Sequence, residues 1–214
     1  MMKSVISLFL VFFITFTLVI ALDYTKMESA MIDKYGAEGL ERLKAWSVLM
    51  NNLKTENADA TTKVDRINEF FNRQVTWGSD DKVWGDKDYW ATPIETMGKA
   101  AGDCEDFSIA KYYSLLNSGI AIKQLRLVYV KAKTNSGVQA HMVLAYYPTP
   151  DAEPLILDNL ITSIRPASRR KDLSPVFSFN GEGVFSGTSS ESKGGTEKLS
   201  RWQDLMKRTK NEGF

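Results

Sequence analysis

The fold is decided by two neighbouring stretches, GDCEDFSIAKYYSLLN (102–117) and LRLVYVKAKTNSGVQAHMVLAYY (125–147). The first reads as a helix that starts near Cys104 and runs to Asn117, with Gly119 as its stop signal. After it the apolar period changes from 3.6 to 2. Leu125–Lys133 reads as a strand, Thr134–Gly137 as a turn and Val138–Tyr147 as a second strand. Pro154–Asp158, PLILD, reads as a short third strand.

Upstream, residues 37–54 carry Leu40, Leu43, Trp46, Leu49, Met50 and Leu53 at helical spacing. Thr61 or Thr62 is the expected cap of a second helix bearing Val64, Ile67, Phe70 and Phe71. Both stripes are core faces. Residues 76–91, TWGSDDKVWGDKDYWA, read as a loop, and Thr92-Pro93-Ile94-Glu95 as a helix start with a capping box. Strands following a run of helices imply an α+β fold, with helices packed on one face of an antiparallel sheet. Residues 181–196 are rich in Gly, Ser and Thr and read as a flexible linker. Leu199, Trp202, Leu205 and Met206 then mark a short amphipathic helix, which either docks on the domain or faces a partner.

Lys3 precedes an uncharged run from Val5 to Leu22, and Val19 and Ala21 suit the small-residue positions of a signal-peptidase site. The expectation is a signal peptide over residues 1–21 and an exported domain over 22–180; an uncleaved inner-membrane anchor is the alternative. The 27 Lys and Arg against 26 Asp and Glu give a net charge of +1, which excludes a strongly basic nucleic-acid binder and gives no electrostatic reason for lipid binding. One Cys and one His exclude an internal disulfide and a zinc site built from Cys and His alone.

The two are therefore the sole thiol and the sole imidazole available to catalysis. Cys104 falls at a helix N-terminus, where free N–H groups and the dipole lower a thiol's pKa, although the flanking acids oppose this. His141 lies on the second strand and Asp158 at the end of the third. A thiol, an imidazole to take its proton and a carboxylate to orient the imidazole are what a thiol protease needs. The backbone N–H of Cys104 is one candidate oxyanion donor, and an indole N–H from Trp77, Trp84 or Trp90 is another, though these tryptophans equally suit packing. Asp103, Glu105 and Asp106 surround the thiol with three carboxylates. Helix capping accounts for them on the residues alone, and a bound cation is the other reading. Their spacing does not match an EF-hand loop. Asp80, Asp81, Asp86 and Asp88 form a second acidic group, a weaker rival site for a cation that reads rather as a solvated loop.

The strings DYWATPIE (88–95), GDCEDFSIAKYYSL (102–115), LRLVYVKA (125–132), AHMVLAYY (140–147) and PLILDNL (154–160) resemble the bacterial transglutaminase-like cysteine proteinases of the LapG type, over residues 37–185. The resemblance implies a papain/transglutaminase-like fold, a Cys104–His141–Asp158 triad and a Ca2+ requirement. Asp103 and Glu105 match the calcium-binding acids most closely, and Asp106 less so. It further implies a periplasmic endopeptidase that cleaves the N-terminal region of a large surface adhesin to release biofilm cells, inhibited by an inner-membrane receptor for cyclic di-GMP. A transglutaminase-type acyl transferase or a non-catalytic binding module of the same fold are the rival readings.

Overall fold

The computed structural model describes residues 22–187 and 192–214; the expected signal peptide over 1–21 lies outside them. Among the described residues, no helix is long and apolar enough to cross a membrane. Helix α1 (Tyr24–Thr55) begins well before the expected residue 37 and bends at Gly36, whose φ of 63° is left-handed. Its buried stripe runs from Met27 and Met31 through Leu43 and Trp46 to Met50 and Leu53. Helix α2 (Ala60–Gln74) is capped by Asp59, whose carboxylate accepts from Thr62 N at 2.7 Å. The threonines expected as caps lie inside its first turn, because the carboxylate reaches the free N–H first.

The expected loop at 76–91 carries two small elements. Strand β1 (Thr76–Trp77) runs parallel to β2 (Ala101–Gly102), and a single helical turn, α3 (Asp80–Val83), follows β1. Helix α4 (Pro93–Lys99) starts at the predicted capping box: Thr92 Oγ1 accepts from Glu95 N, and Glu95 Oε2 accepts from Thr92 N. Helix α5 (Cys104–Asn117) matches its predicted bounds.

The remaining strands form one antiparallel sheet in the order β6-β5-β4-β3-β7-β8-β9. They are β3 (Leu125–Thr134), β4 (Gly137–Tyr146), β5 (Leu155–Leu157), β6 (Arg165–Pro166), β7 (Leu173–Asn180), β8 (Gly183–Ser186) and β9 (Ser192–Gly194). The β3–β4 hairpin sets Val130 opposite His141 and Tyr129 opposite Met142. Met142, Leu144 and Tyr146 join the main core under the helices, while Val143, Ala145 and Tyr147 join a smaller apolar cluster. The sheet has more strands than the sequence reading expected. In particular, the segment read as a linker supplies β8, paired between β7 and β9, and the short edge strand β9.

Helix α6 (Ser200–Asn211) docks on the domain. Trp202 and Leu205 are fully buried, and the Trp202 ring meets Tyr112 and Phe179 edge-on at centroid distances of 5.7 and 5.2 Å. Arg208 ties the helix to Glu95 and to the Trp90 carbonyl. Trp202→Ala should therefore lower unfolding stability by about 3–5 kcal/mol, as for other buried aromatic truncations. Urea denaturation checks this, and a loss under about 1 kcal/mol would mean that α6 adds little to the core.

Candidate active site

The site forms where the start of α5 meets β4. The buried Ser108 hydroxyl sits between the carbonyls of Cys104 and Met142, at 2.8 and 3.2 Å, and so links the two elements. Met142 is the residue after His141, so this link sets the Cys104 turn beside the strand position that carries the imidazole. His141 Nε2 pairs with Asp158 Oδ1 at 2.8 Å, with both side chains buried. With Nε2 on the carboxylate, Nδ1 is the ring nitrogen left for a thiol.

Asp158 is held on every side. Oδ1 also accepts from the backbone N–H groups of Asn159 (2.7 Å) and Leu160 (3.0 Å), and Oδ2 accepts from Arg170 Nη2 at 2.6 Å. Its main-chain oxygen accepts from Lys111 Nζ and Asn72 Nδ2. Burial alone would raise this carboxyl. The His141 hydrogen bond and charge, the Leu160 N–H and the Arg170 bond outweigh it and hold the group at about 2. Burial pulls the Lys111 ammonium down to about 7, with Asp158 opposing.

The thiol is in a different state. Cys104 Sγ donates to Glu105 Oε2 at 2.9 Å. Burial raises its pKa, and the charges of Glu105 and Asp103 raise it further. Both acidic groups seen in the sequence converge here. Single oxygens of Asp80, Asp103 and Asp106 lie within 4.8 Å of one another, as do those of Asp80, Asp88 and Glu105. The loop reading of the second group thus needs correction: Asp80 is buried and joins the first group, with exposed Asp88 at its edge, while Asp81 and Asp86 stay exposed. Sequence gave no pointer to this, because α3 and α5 meet through the β1–β2 pairing. Asp106 Oδ1 accepts from Ala91 N, and Oδ2 from Trp84 Nε1 and Asp103 N, so Asp106 also acts as a cap. Gly102 permits this fold-back, since a Cβ there would stand 2.5 Å from Asp106 Oδ2.

Asp80 Oδ1 and Asp103 Oδ1 are buried without a hydrogen-bond partner. Burial, followed by the charge of Glu105, pushes Asp103 up to about 8; burial pushes Asp106 up to about 8, and raises Asp80 and Glu105. Orphaned oxygens, crowded carboxylates and an all-oxygen donor set fit a hard cation such as calcium. The tryptophans proposed as oxyanion donors differ in setting. The Trp84 indole is committed to Asp106, Trp90 stacks on Phe179 at 5.7 Å, and Trp77 is 61% exposed on β1.

The family model of the bacterial transglutaminase-like cysteine proteinases matches residues 45–171. The chain belongs to this family. LapG of Legionella pneumophila shares its fold: 38% identity, a TM-score of 0.75, and coverage of 88% of this chain and 98% of that one. An EGTA-treated form of that LapG aligns with a TM-score of 0.77, and a calcium-bound form with 0.73. No curated protein sequence matches. As a transglutaminase-like cysteine proteinase the chain is a cysteine protease with the α+β, helix-on-sheet fold expected of it.

Sequence reasoning missed Arg170 and Lys111: Arg170 lies outside the strings that carry the resemblance, and Lys111, inside one of them, reads as an ordinary basic residue on a helix.

The acid cluster makes a sharp prediction about protons. Asp103 and Asp106 have folded pKa values above the ordinary value of 3.8, so the stability they contribute as protonated groups is full below about 4 and is lost as pH rises through about 8. A cation needs the ionised form and must displace those protons. Calcium added to chelator-treated protein should release protons at about pH 6 and few at about pH 9. A pH-indicator titration in weak buffer measures this, and equal release at both would contradict the raised carboxyls.

Proposed function

We propose that this protein is a calcium-dependent periplasmic cysteine endopeptidase that cleaves the N-terminal region of a large surface adhesin and so promotes release from biofilm. The observation that carries this reading is the buried His141–Asp158 pair, one residue from the Met142 carbonyl that Ser108 links to the turn carrying the chain's sole thiol. The identity to LapG along most of both chains supports the choice of substrate class and compartment, as does the apolar N-terminal run. In this reading an inner-membrane receptor for cyclic di-GMP is the inhibitory partner.

The chemistry follows from the atoms. His141 Nδ1 takes the Cys104 proton, and the thiolate attacks the scissile carbonyl carbon. The Cys104 backbone N–H is placed to stabilise the resulting oxyanion. His141 then protonates the leaving amine, which leaves a thioester on Cys104. Water, deprotonated by His141, attacks the thioester, releases the acid and returns the thiol. Asp158 stays ionised throughout and orients the imidazole, because His141, Leu160 N–H and Arg170 hold its carboxyl low.

Asp103 and Glu105 would hold calcium, with Asp80 contributing its free oxygen and Asp106 lying in the same cluster. When bound, the ion supplies positive charge that offsets the carboxylates holding the thiol protonated. The remaining ligands that calcium's six to eight oxygens require would come from backbone carbonyls or water.

The test is incubation of the purified protein with N-terminal fragments of surface adhesins from the same genome. Chelator should stop cleavage, calcium should restore it, and magnesium, being smaller and stricter in geometry, should restore it poorly. Cys104→Ser and His141→Ala should be inactive yet folded, and Asp158→Asn should be weaker than wild type without being dead. Full activity in Cys104→Ser, or undiminished cleavage in excess chelator, would overturn the mechanism or the calcium role respectively. Incorporation of added amines in place of hydrolysis would reassign the reaction to acyl transfer.

A further inference from the structure

Arg170 stands outside every motif of the sequence, yet it is among the most deeply buried charges of the molecule. Its side chain is 1% exposed and Asp158's is 0%. Nη2 donates to Asp158 Oδ2 at 2.6 Å and to Asp172 Oδ2 at 2.7 Å, while Nε donates to Asp172 Oδ1 at 3.0 Å. The guanidinium is thus clamped by Asp172 on one edge and presents a single N–H to Asp158. Nη1 is buried without a partner. Ionic groups buried in this way are poor stabilisers, and well-packed apolar side chains often replace them at no loss. Packing therefore does not account for Arg170, whereas its contact with Asp158 gives it a specific role.

We propose that Arg170 is a positioning residue for catalysis, holding Asp158 Oδ2 so that Oδ1 is presented to His141 Nε2. The proposal rests on reading Cys104, His141 and Asp158 as the catalytic groups. A carboxylate on a strand end can rotate about its Cβ–Cγ bond and offer either oxygen. Here Oδ2 is fixed by Arg170, and the Asn159 and Leu160 N–H groups fix Oδ1 from the chain itself. The charged groups that face Asp158 are His141 from β4, Arg170 and Asp172 from the segment between β6 and β7, and Lys111 from α5. Helix α2 contributes only the neutral Asn72. Lys111 reaches the main-chain oxygen, so Arg170 is the cation on the carboxylate itself.

The chain's one histidine makes the test direct. In protein carrying a histidine-free tag and saturated with calcium, every imidazole signal in a 15N spectrum belongs to His141. The wild type should show a hydrogen-bonded Nε2–H resonance protected from exchange. Arg170→Met should lose that protection, and its kcat should fall on the order of 100-fold, the scale of a misplaced catalytic group, with KM within about 2-fold. Arg170→Lys should recover part of the loss, since it restores charge but not the planar fork. Should Arg170→Met fail to fold, Asp172→Asn serves: Asp172 is 30% exposed, and removing its charge frees the guanidinium, so the resonance should shift and kcat fall by several-fold. A folded Arg170→Met, or Asp172→Asn in its place, with wild-type kcat and an unchanged imidazole spectrum overturns the proposal. Activity surviving in His141→Ala would instead overturn the parent reading, so the two failures are separable.

Discussion

The site depends on one join, the Ser108 hydroxyl lodged between the carbonyls of Cys104 and Met142. It fixes the first turn of α5 to the middle of β4. Everything chemical follows from that placement: the thiol sits at a helix start, and the strand it touches carries the imidazole. The β3–β4 ladder then fixes the height of His141 in the sheet, and β5 delivers Asp158 to its ring. A one-residue slip in that ladder would turn His141 to the opposite face and separate it from Asp158.

The same helix start also carries the acid cluster, so two functions share one turn of backbone. Asp106 caps the helix while lying among the clustered carboxylate oxygens, and Glu105 accepts a hydrogen bond from the thiol beside the same cluster. The thiol therefore faces a carboxylate, and burial and the charges of Glu105 and Asp103 favour its protonated form. Asp158 is arranged in the opposite sense: donors and cations surround it and keep it ionised. One acid is disfavoured as an anion and the other favoured, through contrasts of environment over a short distance.

Much of this was legible in the sequence because its signals are local. The α5 bounds, the Thr92–Glu95 capping box and the β3–β4 hairpin come from period, caps and turn residues read over a few positions. What was not legible depends on contacts between distant segments. Asp80 reaches the Cys104 turn through a two-residue parallel pairing that no pattern announces. Strand β7, LSPVFSFN, hides its strand character behind Ser and Pro; Pro175 falls at a register shift of the β3–β7 pair, where a missing N–H is tolerated. Arg170 and Lys111 read as ordinary basic residues until the fold buries them against Asp158.

In the proposed mechanism the carboxylates clustered around Cys104 control the state of the thiol through the cation they would hold. Because Cys104 is the chain's one cysteine, alkylation by iodoacetamide followed by intact mass reads that thiol alone. Alkylation should be slow in chelator and at least about 10-fold faster in calcium at neutral pH, through a larger thiolate fraction. Equal rates in the two conditions, or a faster rate in chelator, would contradict the mechanism.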